Sequence, residues 1–587
     1  MKLGIGVRAL TGALGLASIV YSFPLFAQIL PVPPQIRPPT REEIERPVAP
    51  PPAPGPRLKV EGDIERSACP LADPAYAKVK VTITDAVFNN LKGATAEELR
   101  PTFAPYLGSE QPVAAICEIR DAAATLLRRK GYLAAVQVPT QRIENGVVRF
   151  EVLYARVTAI RVRGDAGRTE NLIARYLDRL TQDEIFNRNN AERYLLLARD
   201  LPGHDVRLSL RPAGTAPGDL IGEVTVLTTP FEVDFNAQNY AAHDTGRWGG
   251  QLRAQFYGLT GMGDRTTIAL YSTAEFDEQQ VFQFGHDFRV GPEGLTISGR
   301  FTYAWTNPDI GPIPGGADLE ARTLFAGAEV AYPFVRTQAL NLRGSAGFDY
   351  VDQKVDFIGP LTSDKLRVAY LRLDADATDM ADQRAPQWRM AGSFELRKGL
   401  DIFGASDGCG GGACLGGRTP PSRLDGDPTS TLVRFNGLLE YAYSPMFSVA
   451  VMPRLQYAFD PLFSYEEYSG GNYTIGRGYD PGTIIGDSGA GFQVEARTGR
   501  LSPFAKGNIA LQPFLFVDAA WVWNKNVAGD PQKLTSVGGG VRASLSNRLR
   551  LDMALAVPTR KAGFQTEKGD ARLLISLTTR LFPWGDR

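Results

Sequence analysis

Histidine is almost missing from this chain: three occur among its 587 residues, His204, His243 and His286, and none lies near a cysteine. That scarcity argues against a histidine-containing metal site. It also leaves little for a Ser–His–carboxylate triad, which needs histidine and serine side by side. An excess of charge of either sign is absent too, since 64 Lys and Arg residues balance 64 Asp and Glu residues. With no basic block interleaved with aromatics, nucleic acid is excluded as a partner. No nucleotide-binding motif is present, and no cofactor is expected. Long apolar runs are lacking as well. The one candidate, Ala9 to about Phe23, falls short of the ~20 residues a spanning helix needs. Flanked by Lys2 and Arg8 and followed by Leu25-Phe26-Ala27, it reads as a secretory signal cleaved after Ala27. Any membrane crossing must then be made by strands. Cysteine is scarce, with four residues in two local sets, and an even count in an exported chain predicts the disulfides Cys69–Cys117 and Cys409–Cys414.

What is present falls into distinct stretches. Residues 28–68 are dominated by proline and form an extended linker. Within it, Thr40-Arg41-Glu42-Glu43 has the capping-box pattern, with room for at most two helical turns before Pro47. From Val79 the periodicities predict a strand (Val79, Val81, Ile83), a helical stretch from Glu97 to Leu107, and a second helix from Val113 to Lys130 closed by Gly131. Two strands come next, Leu133 to Val138 and Val147 to Leu153, around the Glu144-Asn145-Gly146 turn. The same order returns in Val157–Val162, helices around 171–180 and 189–201, then Val206–Pro212 and Gly222–Thr228. Two copies of one small α+β module, 69–155 and 156–229, are expected in tandem.

After Pro230 the helical period gives way to strand alternation. Residues 230–587 divide into sixteen segments, each about the ~10 residues a tilted strand needs to cross a bilayer. They begin near residues 231, 247, 264, 277, 294, 322, 341, 365, 391, 430, 446, 489, 511, 535, 548 and 571. Phe447, Val449, Val451, Leu455 and Tyr457 alternate with Ser448, Ala450, Met452, Arg454 and Gln456, one face for lipid and one for a wet lumen. Short turns such as 546–548 mark the periplasmic side, and long loops, including 401–429 with Cys409 and Cys414, the cell surface. The fold class is therefore α+β modules followed by a sixteen-stranded antiparallel transmembrane β-barrel.

The loop before the twelfth segment carries Gly476-Arg477-Gly478-Tyr479-Asp480. Glycines flanking an arginine let a tight backbone present one guanidinium at a tip. If the loop folds into the lumen, that charge needs an acceptor. Period two puts Asp518 on the lumen face of the thirteenth segment and Glu495 on that of the twelfth; Asp518 is the first choice and Glu495 the second. Signal, proline-rich linker, paired modules and a barrel with this loop together resemble the two-partner secretion (TpsB) transporters. Their modules are POTRA domains, and Arg477 to Tyr479 match the superfamily's [VI]RG[FY] signature, with Gly476 in place of the aliphatic residue. The resemblance implies an ionic contact between Arg477 and a barrel aspartate, with Asp518 at the matching position. It also implies a place in the bacterial outer membrane, POTRA domains in the periplasm, and export of an unfolded exoprotein, adhesin or cytolysin in type, that carries an N-terminal secretion domain. The barrel is expected to be monomeric and in contact only with lipid and this cargo.

Two departures from the family stand out. The family ends on an aromatic in phase with the lipid-facing side of its last strand. Here Leu573, Ile575, Leu577, Thr579 and Leu581 set that phase, leaving Phe582 out of it, with Pro583 to Arg587 beyond. The family often carries a plug helix ahead of the linker, and Thr40 to Arg46 is too short for a plug to be expected from it. Within the superfamily the rival function is an assembly or insertion factor, disfavoured by two modules rather than a longer array. A passive pore leaves the modules without purpose. An enzyme lacks its histidine, because His286 shares the lipid-facing side with Phe284 and Phe288.

Overall fold

The computed structural model describes residues 38–45, 68–216, 218–309, 318–380, 386–409, 418–502, 509–527, 529, 531–546, 548–563 and 565–583. The signal segment, most of the linker and Cys414 of the second expected disulfide lie outside the described residues.

The first module has a three-stranded sheet in which Val147–Tyr154 runs between a parallel neighbour, Asp85–Asn89, and an antiparallel one, Ala134–Gln137. This corrects the reading of Val79–Ile83 as the first sheet strand. Lys80–Thr82 instead pairs with Glu110–Pro112 in a separate ribbon. The expected helix over 97–107 is a single turn, Ala96–Leu99, followed by two 3-10 turns. Pro101 and Pro105 cannot donate to an α-helical ladder and break it. Helix Ala115–Arg129 covers the sheet with Ile116, Ile119, Ala123 and Leu127, and Gly131 ends it at φ +93°. Cys69 and Cys117 form a disulfide, their Cα atoms 6.0 Å apart, which ties the entry of the module to this helix.

The second module repeats the plan. Asp219–Thr228 lies between parallel Arg156–Gly164 and antiparallel His204–Pro212. Helices Glu170–Gln182 and Arg188–Arg199 cover one face. Those helices in turn seat on the periplasmic turns of the barrel. Arg336 donates twice to Asp200, at 2.6 and 2.7 Å, and Arg193 donates to the Pro333 carbonyl at 3.0 Å. Gly263, at φ +61°, lies so close that a Cβ there would stand 2.6 Å from Leu201.

Sixteen antiparallel strands close into a barrel, from Phe231–Gln238 to Arg572–Phe582, with the last hydrogen-bonded to the first. Every strand begins within a few residues of its expected start. The sixth to eighth, Leu319–Arg336, Leu340–Phe357 and Pro360–Thr378, are long enough to rise beyond the bilayer. Faces alternate as the sequence requires: Leu515 and Val517 point out while Phe514, Phe516 and Asp518 are buried inward.

The terminal aromatic is in phase after all. At the closing seam Arg580 pairs with Asp234 and Phe582 with the next residue, Val233, so the register slips at Leu581. A bulge inserts one unpaired residue and reverses the facing of the residues after it. Phe582 is thereby turned outward, half-exposed, with its ring 6.3 Å from that of Phe231.

The short capping-box segment lies within the barrel. Arg41–Ile44 forms a single helical turn inside the barrel, closed by a capping box between Thr40 and Glu43. So short a helix has no stability of its own. The wall supplies it: Gln353 donates to the Pro39 carbonyl at 3.1 Å and Gln283 to that of Ile44 at 3.2 Å. Glu42 pairs with Arg454 of the eleventh strand.

Candidate functional site

The loop joining the eleventh strand, Phe447–Ala458, to the twelfth, Ser488–Thr498, folds back into the barrel. Its two limbs form a small hairpin, Tyr468–Gly470 against Ile484–Gly486, which carries the segment between them as a tip. Tyr468, Ile475, Tyr479 and Ile484 pack against Ala520, Val522 and Leu534 of the wall. The hairpin thus reaches the lumen with its own apolar core, which offsets the cost of ordering so long a connection.

At the tip, Gly476 adopts φ +122°, and a Cβ there would stand 2.6 Å from Leu534. Neither the backbone nor the space admits the family's aliphatic residue, and the preceding Ile475 supplies the apolar contact instead. Gly478 is equally confined: a Cβ there would stand 2.9 Å from the Pro558 backbone nitrogen. Its N–H donates to Ser536 Oγ at 3.3 Å.

Between these glycines Arg477 meets both expected carboxylates. Its Nε and Nη2 donate to the two oxygens of Asp518 at 3.0 and 2.7 Å, and its backbone N–H adds a third bond at 2.9 Å. Nη1 donates to Glu495 at 2.7 Å. The guanidinium carbon lies 3.6 Å from the centre of the Phe516 ring. Such a bidentate, stacked arginine cannot be replaced by lysine without loss of both contacts. Asp518 is fully buried, and Glu495 nearly so. Glu495 is shared with Arg542 at 2.9 Å and Arg497 at 2.7 Å. A carboxylate so placed, robbed of its arginines, is an uncompensated buried charge.

Tyr479 donates from its hydroxyl toward the Thr535 and Arg560 carbonyls, at 2.9 and 2.7 Å. Asp480 pairs with Arg247 and Arg572, at 3.1 and 2.9 Å. Sequence reasoning missed Phe516, although it shares the lumen face of Asp518 two residues on. It also missed Ser536 and the arginine partners of Asp480, which no local pattern marks. Among the described residues, no three His, Cys, Asp or Glu side chains gather as a metal site. The arrangement fixes a loop across a lumen by a dense set of charged contacts.

Residues 224–543 match the family model of haemolysin secretion/activation protein ShlB/FhaC/HecB, and residues 81–154 match the ShlB-type POTRA domain. The chain belongs to the ShlB/FhaC/HecB family. The barrel is thereby an outer-membrane barrel, with its POTRA modules on the periplasmic side. Among curated relatives, the heme/hemopexin transporter protein HuxB of Haemophilus influenzae (strain 86-028NP) is 21% identical over 280 residues, 46% of this chain and 48% of that protein. The match therefore spans about half the length of HuxB. Two solved structures share the fold: CdiB from Escherichia coli, with a TM-score of 0.68 and 15% identity over 88% of this chain and 94% of that one, and CdiB from Acinetobacter baumannii, with a TM-score of 0.62 and 15% identity over 89% and 94%.

Proposed function

We propose that this protein exports a partner exoprotein across the outer membrane, its POTRA modules receiving the unfolded chain and its barrel conducting it. The observation that carries the reading is the Arg477 latch inside a barrel that also holds the helical turn Arg41–Ile44. A lumen occupied by a loop and a helical turn, both held by polar contacts, can be cleared without breaking the wall. A passive pore has no use for such closure.

Export begins with an extended cargo segment adding to a POTRA sheet edge or lying in its strand–helix groove, where main-chain pairing tolerates any sequence. The plug and the tip then vacate the lumen. Arg477 exchanges Asp518 and Glu495 for water or for the passing chain, and folding of the cargo outside supplies part of the drive. The cargo is a large exoprotein with its own N-terminal secretion domain, of the adhesin or cytolysin type, served by a single barrel. Cys409 and Cys414, paired, would brace the surface loop 401–429.

The test asks whether a neighbouring reading frame encodes a large exoprotein and, with that protein as cargo, compares its secretion by the wild type and by Arg477→Ala. We expect the barrel to insert normally while secreted partner falls by at least about tenfold, as befits a buried charge pair losing one member. Secretion at the wild-type rate would refute the reading.

A further inference from the structure

Arg477 is not the only charge by which the inserted loop grips the wall. Glu466, on the limb leading into the hairpin, is 3% exposed, and its wall partners Arg397 and Arg434 are 4% and 5% exposed. Arg397 donates to both Glu466 oxygens, at 2.8 and 3.1 Å, and Arg434 donates to one at 2.6 Å. The backbone carbonyl of Glu466 accepts from Arg434 and Gln456, each at 2.9 Å. The arrangement inverts that at the tip. There the loop brings a cation to carboxylates on the twelfth and thirteenth strands; here it brings an anion to guanidiniums on the ninth, Trp388–Gly399, and the tenth, Thr431–Ser444. The two grips lie three strands apart round the wall, about 15 Å.

They also draw on separate charges. Arg397 shares Asp349 at 2.9 Å and Glu395 at 2.8 Å, whereas the Arg477 group is completed by Arg497 and Arg542. None of these charged groups is common to both sets, so breaking one leaves the other balanced.

The plug leans on the Glu466 side. Tyr465, the residue before Glu466, donates to Glu45 at 2.5 Å, and Ser469 donates to Glu42 at 2.8 Å. Ile44 is buried in one cluster with Phe463 and Tyr465. The loop's own contacts with the helical turn, added to those of the wall, therefore come from residues that flank Glu466 closely along the chain.

We propose that Glu466 is a second, plug-side latch: a positioning residue whose grip on Arg397 and Arg434 fixes the loop limb that retains helix Arg41–Ile44 in the lumen, and which opens independently of the Arg477 latch. The first latch then governs the tip, and the second governs whether the pore is stoppered. Loss of the Glu466 charge leaves Arg397 still paired with Asp349 and Glu395, so the wall tolerates its release.

The test is ion conductance of the full-length protein in planar bilayers, which requires no cargo and so stands or falls apart from the export reading. Folding is verified by heat-modifiable electrophoretic mobility. Glu466→Gln should raise the open fraction at least about tenfold over wild type. Glu466→Asp, which keeps the charge, should stay within about twofold. Removing residues 38–45 should open the pore and abolish any difference between Glu466→Gln and its parent. If Glu466→Gln does not fold, Arg434→Gln breaks the same contact from the wall and should open the plugged pore likewise. The proposal is overturned if the glutamine variant conducts like wild type or if Glu466→Asp opens the pore equally. It is overturned too if the effect survives loss of residues 38–45.

Discussion

The two POTRA modules share one plan and are held in place by opposite means. The first is braced from within: a disulfide joins its entry to its long helix, and Phe88 and Phe150 stack at 5.0 Å beneath that helix. It meets its neighbour through Leu133, buried in the second module's core, and backbone bonds such as the Arg188 N–H donating to the Gly131 carbonyl at 2.7 Å. The second module has no cysteine and is braced from outside, its helices pressed onto barrel turns and clamped by Arg193 and Arg336. Two placements call for two solutions. A module carried far from the membrane must supply its own constraint, while one beside the barrel borrows rigidity from it.

That contrast can be broken by experiment. The largest effect is expected from replacing Cys69 and Cys117 together by serine. The first module should lose about 2–5 kcal/mol, the usual worth of a native disulfide in a small exported domain. Pulse proteolysis should then cut within residues 68–154 at lower denaturant while 156–228 stays protected. Simultaneous loss of both modules would show that they are not independently braced. A smaller effect should come from Gly263→Ala, which forces a side chain into left-handed backbone and against Leu201 and Leu172. A cost of about 1–3 kcal/mol is expected. It should appear as faster hydrogen exchange in helices 170–182 and 188–199, with the barrel unchanged. The smallest effect belongs to Arg336→Ala. Its partner Asp200 has a side chain 45% exposed, so the pair contributes about 1 kcal/mol or less, and less still in high salt. Exchange in the same helices should rise slightly at low ionic strength and match wild type in molar salt.

The wall was legible because each strand repeats one physical requirement, apolar outward and polar inward, over many residues. That same parity placed Asp518 and Glu495 on the lumen side and made them candidates for Arg477. Where no period exists, sequence was silent. Glu466 lies in an aperiodic limb, and nothing nearby in the chain announces two arginines waiting on strands nine and ten. The helix Arg41–Ile44 was underrated because its propensity is negligible and its stability comes wholly from groups such as Gln353, far along the chain. In the first module, Val81 and Ile83 alternate as well as Ala86 and Phe88 do. Only the pairing of Lys80–Thr82 with Glu110–Pro112 tells ribbon from sheet.

The bulge at Leu581 has a consequence for how the finished barrel is recognised. Side-chain parity behaves like a reading frame, and one unpaired residue shifts it. A machine that inspects the folded edge meets an outward Phe582 beside Phe231, whereas a scan that counts by twos along the letters meets an inward one.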